Sequence, residues 1–292
     1  MSEIAVRAGL WLLRQVARLP DQWVRRIGFA LGDLLWWLAA PRRRVALANL
    51  ALCFPQLDPA RRRAIARDHF RCYAASFVER FIIWHEPAER ICSLVRLIDK
   101  HHFDAEPGRP TIVLAPHFVG IDAGGLRLQI DAPGVSLFAN QRSRALTELM
   151  TQGRSRFHGA RMFVRNEGLR PVIRALREGA FFHFSPDMDL GPRDTLFVPF
   201  FGVNCATTPS LARLAQMTGA RVVPLVTRMV DHGYEATFYP AWEDFPGADV
   251  EAATRRMNAF IEERVLEAPE QYLWTHRRFK TRPPGEPPVY RR

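Results

Sequence analysis

The sequence predicts an α/β fold, a central mixed sheet covered by helices, with N-terminal membrane-associating helices in front of it. Three observations lead there. Short β-type runs alternate with helical stretches beyond about residue 110, a long helical region precedes them, and two apolar segments bracketed by arginines open the chain. Alternation of this kind is the pattern of a sheet with helices on its faces.

In order along the chain, residues 4–19 read IAVRAGLWLLRQVARL. At about 100° per residue, Arg7, Arg14 and Arg18 fall within roughly 40° of one another, and Leu10, Leu12, Leu13, Val16 and Leu19 fill much of the remaining circumference. After Pro20, the run from Ile27 to Ala40 is apolar except for Asp33, ends in Leu-Leu-Trp-Trp-Leu, and lies between Arg25-Arg26 and Arg42-Arg43-Arg44. A spanning helix needs about 20 apolar residues and one-sided positive charge, so both segments are expected to lie in a membrane interface rather than cross it. A pair of helices packed on the main domain is the alternative. Residues 1–45 are therefore set apart as membrane-attachment helices, and 46–292 as the main domain. No small-residue cleavage site follows the apolar stretch, which speaks against a secretory signal.

From Arg42 to about Lys100 the spacing of apolar residues is helical, interrupted by a turn at Pro55 to Pro59. Strands are expected at 111–115 (TIVLA), 135–139 (VSLFA), 180–184 (AFFHF), 221–226 (RVVPLV) and 235–240 (EATFYP). The tail RFKTRPPGEPPVYRR is too rich in proline for regular structure.

Composition narrows the function. Apolar residues at 48% and aromatics at 11% exclude a disordered chain. The net charge of +11 is carried by arginine, Lys100 and Lys280 being the lysines. A guanidinium binds phosphate bidentately, which suits a phosphorylated lipid and an anionic membrane surface; a GC-rich genome explains the arginine preference equally well. No zinc-finger spacing or RNA-binding signature accompanies the charge, so no nucleic acid partner is expected. Cys53, Cys72, Cys92 and Cys205 are far apart, without Cys-x-x-Cys, and are read as buried free thiols rather than a metal site or a disulfide framework.

The chemistry points to His117. The predicted strand TIVLA runs into Pro116-His117-Phe118-Val119-Gly120-Ile121-Asp122, placing a histidine at the carboxyl end of a strand, where open α/β sheets hold their reactive groups. A carboxylate five residues later, in the first turn of the next helix, turns back toward the ring if the chain bends at Gly120. Asp122 is thus expected to hold one imidazole nitrogen and leave the other free to take a proton. His-x4-Asp alone is a weak signal. His101, His102 and His158 show no partner pattern, and the aromatics from Phe197 to Phe201 are read as core.

Other runs accompany it: Gly153-Arg154-Ser-Arg156; LRPVIRALREG; Pro186-Asp187-Met-Asp189-Leu-Gly191; Phe197-Val-Pro-Phe-Phe-Gly202; Leu214-Ala with Thr218-Gly-Ala; Glu270-Gln-Tyr-Leu-Trp274-Thr-His276; and, near the start, Arg44-Val-Ala-Leu-Ala-Asn49-Leu-Ala-Leu-Cys-Phe-Pro55. Together with His117 and Asp122 these resemble the late acyltransferases of lipid A biosynthesis, the lauroyl and myristoyl transferase family within the glycerolipid acyltransferase superfamily, over nearly the whole chain. Asp122 stands where many members carry Glu, and Gln141 where many carry Tyr.

The resemblance implies an acyltransferase domain at 46–292 that moves a fatty acyl chain from an acyl carrier protein thioester to a hydroxyl of a lipid A precursor, at the cytoplasmic side of a bacterial inner membrane. It needs no cofactor beyond the acyl carrier protein co-substrate and no metal. His117 is then the general base, Asp122 its orienter and Arg154 the oxyanion donor, with a salt bridge to a carboxylate as the other reading of Arg154. Arg142, Arg156, Asp187 and Asp189 are assigned to substrate binding. Transfer to another glycolipid, such as a phosphatidylinositol mannoside, and a non-catalytic basic membrane-binding protein are the alternatives.

Overall fold

The computed structural model describes residues 3–139, 141, 143–164 and 168–290. Five helices come first: α1 (Glu3–Val16), α2 (Asp21–Leu38), α3 (Ala40–Cys53), α4 (Pro59–His85) and α5 (Ala88–Leu94). The sheet region follows as β1 (Val95–Ile98), α6 (His101–Asp104), β2 (Thr111–Leu114), α7 (Ile121–Asp131), β3 (Gly134–Phe138), α8 (Arg144–Arg154), β4 (Arg161–Val164), α9 (Arg170–Arg177) and β5 (Phe181–Phe184). The hairpin β6 (Leu196–Phe200) and β7 (Val203–Thr207), then α10 (Ser210–Thr218), β8 (Arg221–Val230), β9 (Gly233–Phe238) and α11 (Val250–Glu267) complete the order.

Seven strands form one sheet in the order β1-β9-β8-β2-β5-β3-β4. Within it β8 and β9 pair antiparallel and the other described neighbours pair parallel, so the sheet is mixed. All five expected strands are present, and β1, β4 and the β6-β7 hairpin are additional. β1 (VRLI) continues a helical run without a break, and β4 (RMFV) lies at the sheet edge half-buried throughout, so neither shows the alternation that marks a strand. β2 is buried at every position, as expected of a parallel strand covered on both faces. Ile112 and Leu114 point into one core with Leu50 of α3, Leu176 of α9 and Ile261 of α11. Val113 points into the other with Ile82 of α4 and Leu126 of α7.

Helix α2 packs on α4 through Val24, Gly28, Gly32 and Trp36. A Cβ on Gly28 would come within 2.4 Å of the Ala75 Cα, and one on Gly32 within 2.4 Å of the Arg71 Cα, so only glycine permits this approach. Arg25 pins the same helix from its other end: it pairs with the buried Glu79 at 2.7 Å and donates to the Gly233 carbonyl at 3.0 Å. The opposite side of α2 leaves Trp23, Ile27, Leu34, Trp37 and Leu38 exposed, and α1 does the same with Ile4, Trp11 and Leu12. The packing of α2 on α4 bears out the alternative reading of this segment for one face, and the other face is apolar and exposed. The boundary drawn between 45 and 46 falls inside α3. Among the described residues no helix is long and apolar enough to cross a membrane.

Candidate active site

The centre of the site is built by two adjacent parallel strands. Leu114 ends β2 and Phe184 ends β5, and these two residues are register partners. Three residues beyond each, after Ala115-Pro116 and Ser185-Pro186, stand His117 and Asp187. Strands side by side and parallel deliver whatever follows them to the same edge. Asp187 accepts from the His117 ring at Nδ1 over 2.6 Å and from the His117 backbone N–H over 2.9 Å. Burial works to raise the Asp187 pKa, but the charge of His117 and its two hydrogen bonds hold the carboxyl at about 2. The carboxylate fixes the Nδ1–H tautomer and leaves Nε2 without a partner among the described residues, at a ring that lines a cavity.

The loop carrying His117 is held by a distant part of the chain. Val119 N–H donates to the Gln271 carbonyl at 2.9 Å, Leu273 N–H to the His117 carbonyl at 3.0 Å, and Phe118 and Tyr272 form an antiparallel bridge between them. Gln271 is itself fixed, its side chain bonding the Met229 N–H and carbonyl at 2.7 and 2.9 Å. Asn49 of α3 donates to the carbonyls of Trp274 and His276, both at 2.7 Å. The segment from Glu270 to His276 is thus a backbone clamp on the histidine loop.

Asp122 does not hold His117. It sits in the first turn of α7 with its side chain 8% exposed and is taken by two arginines, Arg154 of α8 at 2.5 Å and Arg80 of α4 at 2.9 Å. Burial favours its protonation, and the two guanidinium groups overcome that and keep its pKa below the ordinary carboxylate range. Sequence proximity misled here: α7 starts at Ile121 and carries Asp122 round toward α4 and α8, whereas strand register brings Asp187 to the ring. Arg154 accordingly is an ion-pair partner of Asp122. Two cations against one carboxylate leave a positive wall on the cavity.

That cavity measures about 650 Å³. His117, Asp122, Arg80 and Arg154 line one end, and Tyr73, Phe77, Leu126, Phe138 and Met150 supply apolar wall.

The sequence matches the model of the family described as bacterial lipid A biosynthesis acyltransferase over residues 2–281. The chain belongs to this family. It is 33% identical to the lipid A biosynthesis lauroyltransferase of Escherichia coli K12 over 287 residues, covering 97% of this chain and 93% of that protein. The palmitoleoyltransferase of the same organism matches at 33% with the same coverage. The myristoyltransferase matches at 31% over 296 residues, 97% of this chain and 90% of that one.

In this lipid A acyltransferase, several residues assigned from sequence to substrate have structural partners instead. Arg156 donates to the Ile83 and Glu86 carbonyls at 2.9 and 2.6 Å and so caps the carboxyl end of α4. Asp189 is buried and accepts from Gly191 N–H at 2.9 Å, and from the Thr281 N–H and hydroxyl at 2.6 and 2.9 Å, which ties down the C-terminal segment. Asp187, expected at substrate, holds the histidine. Arg142 lies outside the described residues. His183 went unnoticed in the sequence: it is on β5 and lines the cavity, and burial lowers its pKa to about 4. Within the Phe197–Phe201 stretch Phe200 is in the core, Val198 is buried and Phe201 packs against the core, while Phe197 is half-buried, and the four cysteines are free.

Proposed function

We propose that His117, oriented by Asp187, is the general base for transfer of an acyl chain from an acyl carrier protein thioester to a hydroxyl of a lipid A precursor. The observation that carries this is the His117 ring, with Nδ1 committed to Asp187 and Nε2 unpartnered among the described residues at the cavity. An alcohol is a poor nucleophile near neutral pH. Nε2 takes its proton as the oxygen attacks the thioester carbonyl, and the Asp187 carboxylate stabilises the imidazolium. Collapse of the tetrahedral intermediate breaks the C–S bond, and the proton passes from Nε2 to the leaving sulfur. An ester and a free thiol result. The net positive charge left by Arg80 and Arg154 over Asp122 favours the negative oxygen of the intermediate or the phosphates of the acceptor.

The exposed apolar side chains of α1 and α2, interleaved with arginines, suit the interface of an anionic membrane, and the family reading makes this the cytoplasmic face of the bacterial inner membrane. Helix α1 also lies against α8, whose Leu146 and Met150 line the cavity, so the apolar surface and the cavity are neighbours. Flotation with vesicles containing anionic lipid tests this: the protein is expected in the floating fraction, and Trp11→Ser with Trp37→Ser is expected to release it. A wild-type protein that stays at the bottom refutes the membrane assignment.

The reaction is tested by incubating the protein with acyl carrier protein thioester and tetra-acylated lipid A precursor and weighing the product by mass spectrometry. One acyl chain should be gained, and His117→Ala should reduce the rate by about 10²–10⁴-fold. No mass gain with the wild type rejects the reaction. Equal use of a coenzyme A thioester removes the carrier protein from it.

A further inference from the structure

Three relatives named for three different acyl chains are nearly equally similar to this protein, at 33, 33 and 31% identity, so overall similarity does not fix its chain length. The cavity wall does contain a feature suited to fixing it. Helix α7 starts beside the histidine loop, and Asp122, Leu126 and Gln129 line the cavity along it, with Gly125 between. The seven residues from Asp122 to Gln129 descend about 10 Å at helical rise. Ser136 of β3 is the register partner of His183 on β5, which is in turn the partner of Val113 on β2, four residues before His117. A Cβ on Gly125 would come within 2.9 Å of His183 Nε2, so α7 lies directly over that ring. Ser136 and His183 therefore lie level with Gly125, and Gln129 lies one helical turn, about 6 Å, farther from the reacting end. Phe181, two residues back along β5 from His183 and on the same face, is buried.

The wall also includes Phe77, Leu126, Phe138 and Met150. The deep part of it is polar and underused. Gln129 is 3% exposed, and among the described residues its Oε1 has no hydrogen-bond partner, nor has the buried Nε2 of His183. Buried polar groups are ordinarily paired, and desolvating an unpaired one is costly. An apolar chain that reached Gln129 would strip its carboxamide of water and offer it no partner.

We propose that Gln129, one turn below Ser136 and His183, forms a polar floor that limits the length of the acyl chain this cavity accepts. This rests on the reading that the transferred chain occupies the cavity. The test is a competition among saturated acyl carrier protein thioesters of increasing length, read by product mass, for the wild type, Gln129→Met and Ser136→Ala. Wild type should show a sharp upper cut-off. Gln129→Met, similar in shape without the carboxamide, should raise kcat/KM for the first chains beyond that cut-off by about tenfold, within the range that relief of an unpaired buried amide allows. The preferred shorter chain should keep its kcat/KM within about twofold, since an interaction removed from the floor is not one made at the reacting carbonyl. Ser136→Ala should shift the profile in the same direction by a smaller factor.

An unchanged length profile in both variants overturns the floor. So does a wild type that prefers a chain hydroxylated near its far end over the plain chain of equal length, because the floor would then be recruiting a polar chain instead of stopping an apolar one. Absence of any transfer by the wild type rejects the proposed reaction, while transfer with an unchanged profile rejects the floor alone.

Discussion

Asp187 and Asp122 are both nearly buried carboxylates at the His117 end of the cavity, and both are held ionised against the pull of burial. What holds them differs. Asp187 meets one imidazole and one backbone N–H, both from His117, at a point where two parallel strands end in register. Asp122 meets two guanidinium groups that come from helices far apart in sequence, Arg80 on α4 and Arg154 on α8. The first carboxylate orients the imidazole proposed above as proton acceptor. The second ties α7 to two other helices and balances part of a positive wall. One residue type at comparable burial thus holds a ring at a cavity in one place and joins helices in the other, and the partner decides which.

Substitution separates the two roles. Asp187→Asn keeps the shape but removes the charge that fixes the tautomer and stabilises the imidazolium, and it should lower kcat by about 10²–10⁴-fold with a smaller effect on melting temperature. Asp122→Asn leaves Arg80 and Arg154 without their counter-charge in a largely enclosed place, and should cost about 3 kcal/mol of stability with a smaller fall in kcat than Asp187→Asn. Steady-state kinetics and thermal melts on the two variants decide the matter. The opposite ranking, with Asp122→Asn the worse for kcat and Asp187→Asn the worse for stability, would return Asp122 to the role its place in the sequence suggests.

A smaller effect follows from pH. Burial lowers the pKa of His69, His183 and His276 from 6.5 to about 4, so the unfolded chain binds more protons than the folded one between those values. The stability these neutral rings contribute is fully present above about 6.5 and is lost as pH falls toward 4. Asp187, with a depressed pKa, contributes stability present above its ordinary 3.8 and lost only as pH falls through about 2. Melting temperature should therefore decline from pH 7 to pH 4 while Asp187 remains ionised throughout. A flat melting temperature over that window would mean that these histidines are not buried as neutral rings.

The same comparison explains how far the sequence could be read. His117 was legible because TIVLA is an unbroken apolar strand and the residues after it mark its end. Nearness along the chain then points to Asp122 as its partner. The correct partner is seventy positions away and follows β5 as His117 follows β2, strand then X-Pro then the functional residue. That parallel between Ala-Pro-His and Ser-Pro-Asp was present in the sequence. Its meaning depends on β2 and β5 being neighbours, which only strand order supplies. Arg156 illustrates the other limit: an arginine in a recognisable run looks like a substrate ligand, and only the position of the α4 terminus reveals that it caps carbonyl groups. The exposed apolar faces of α1 and α2 were foreseeable from periodicity, but the close contact of α2 with α4 depends on Gly28 and Gly32 meeting Ala75 and Arg71, a long-range match that periodicity does not encode.

The clamp formed by residues 271–273 has a consequence for the timing of synthesis. His117 leaves the ribosome long before Gln271, Tyr272 and Leu273, whose backbone holds the Phe118 loop. The strand that carries the histidine can pair with β5 as soon as that strand emerges, but its loop gains these backbone partners only when residues 271–273 have been made. A growing polypeptide therefore carries the histidine on an unclamped loop until then.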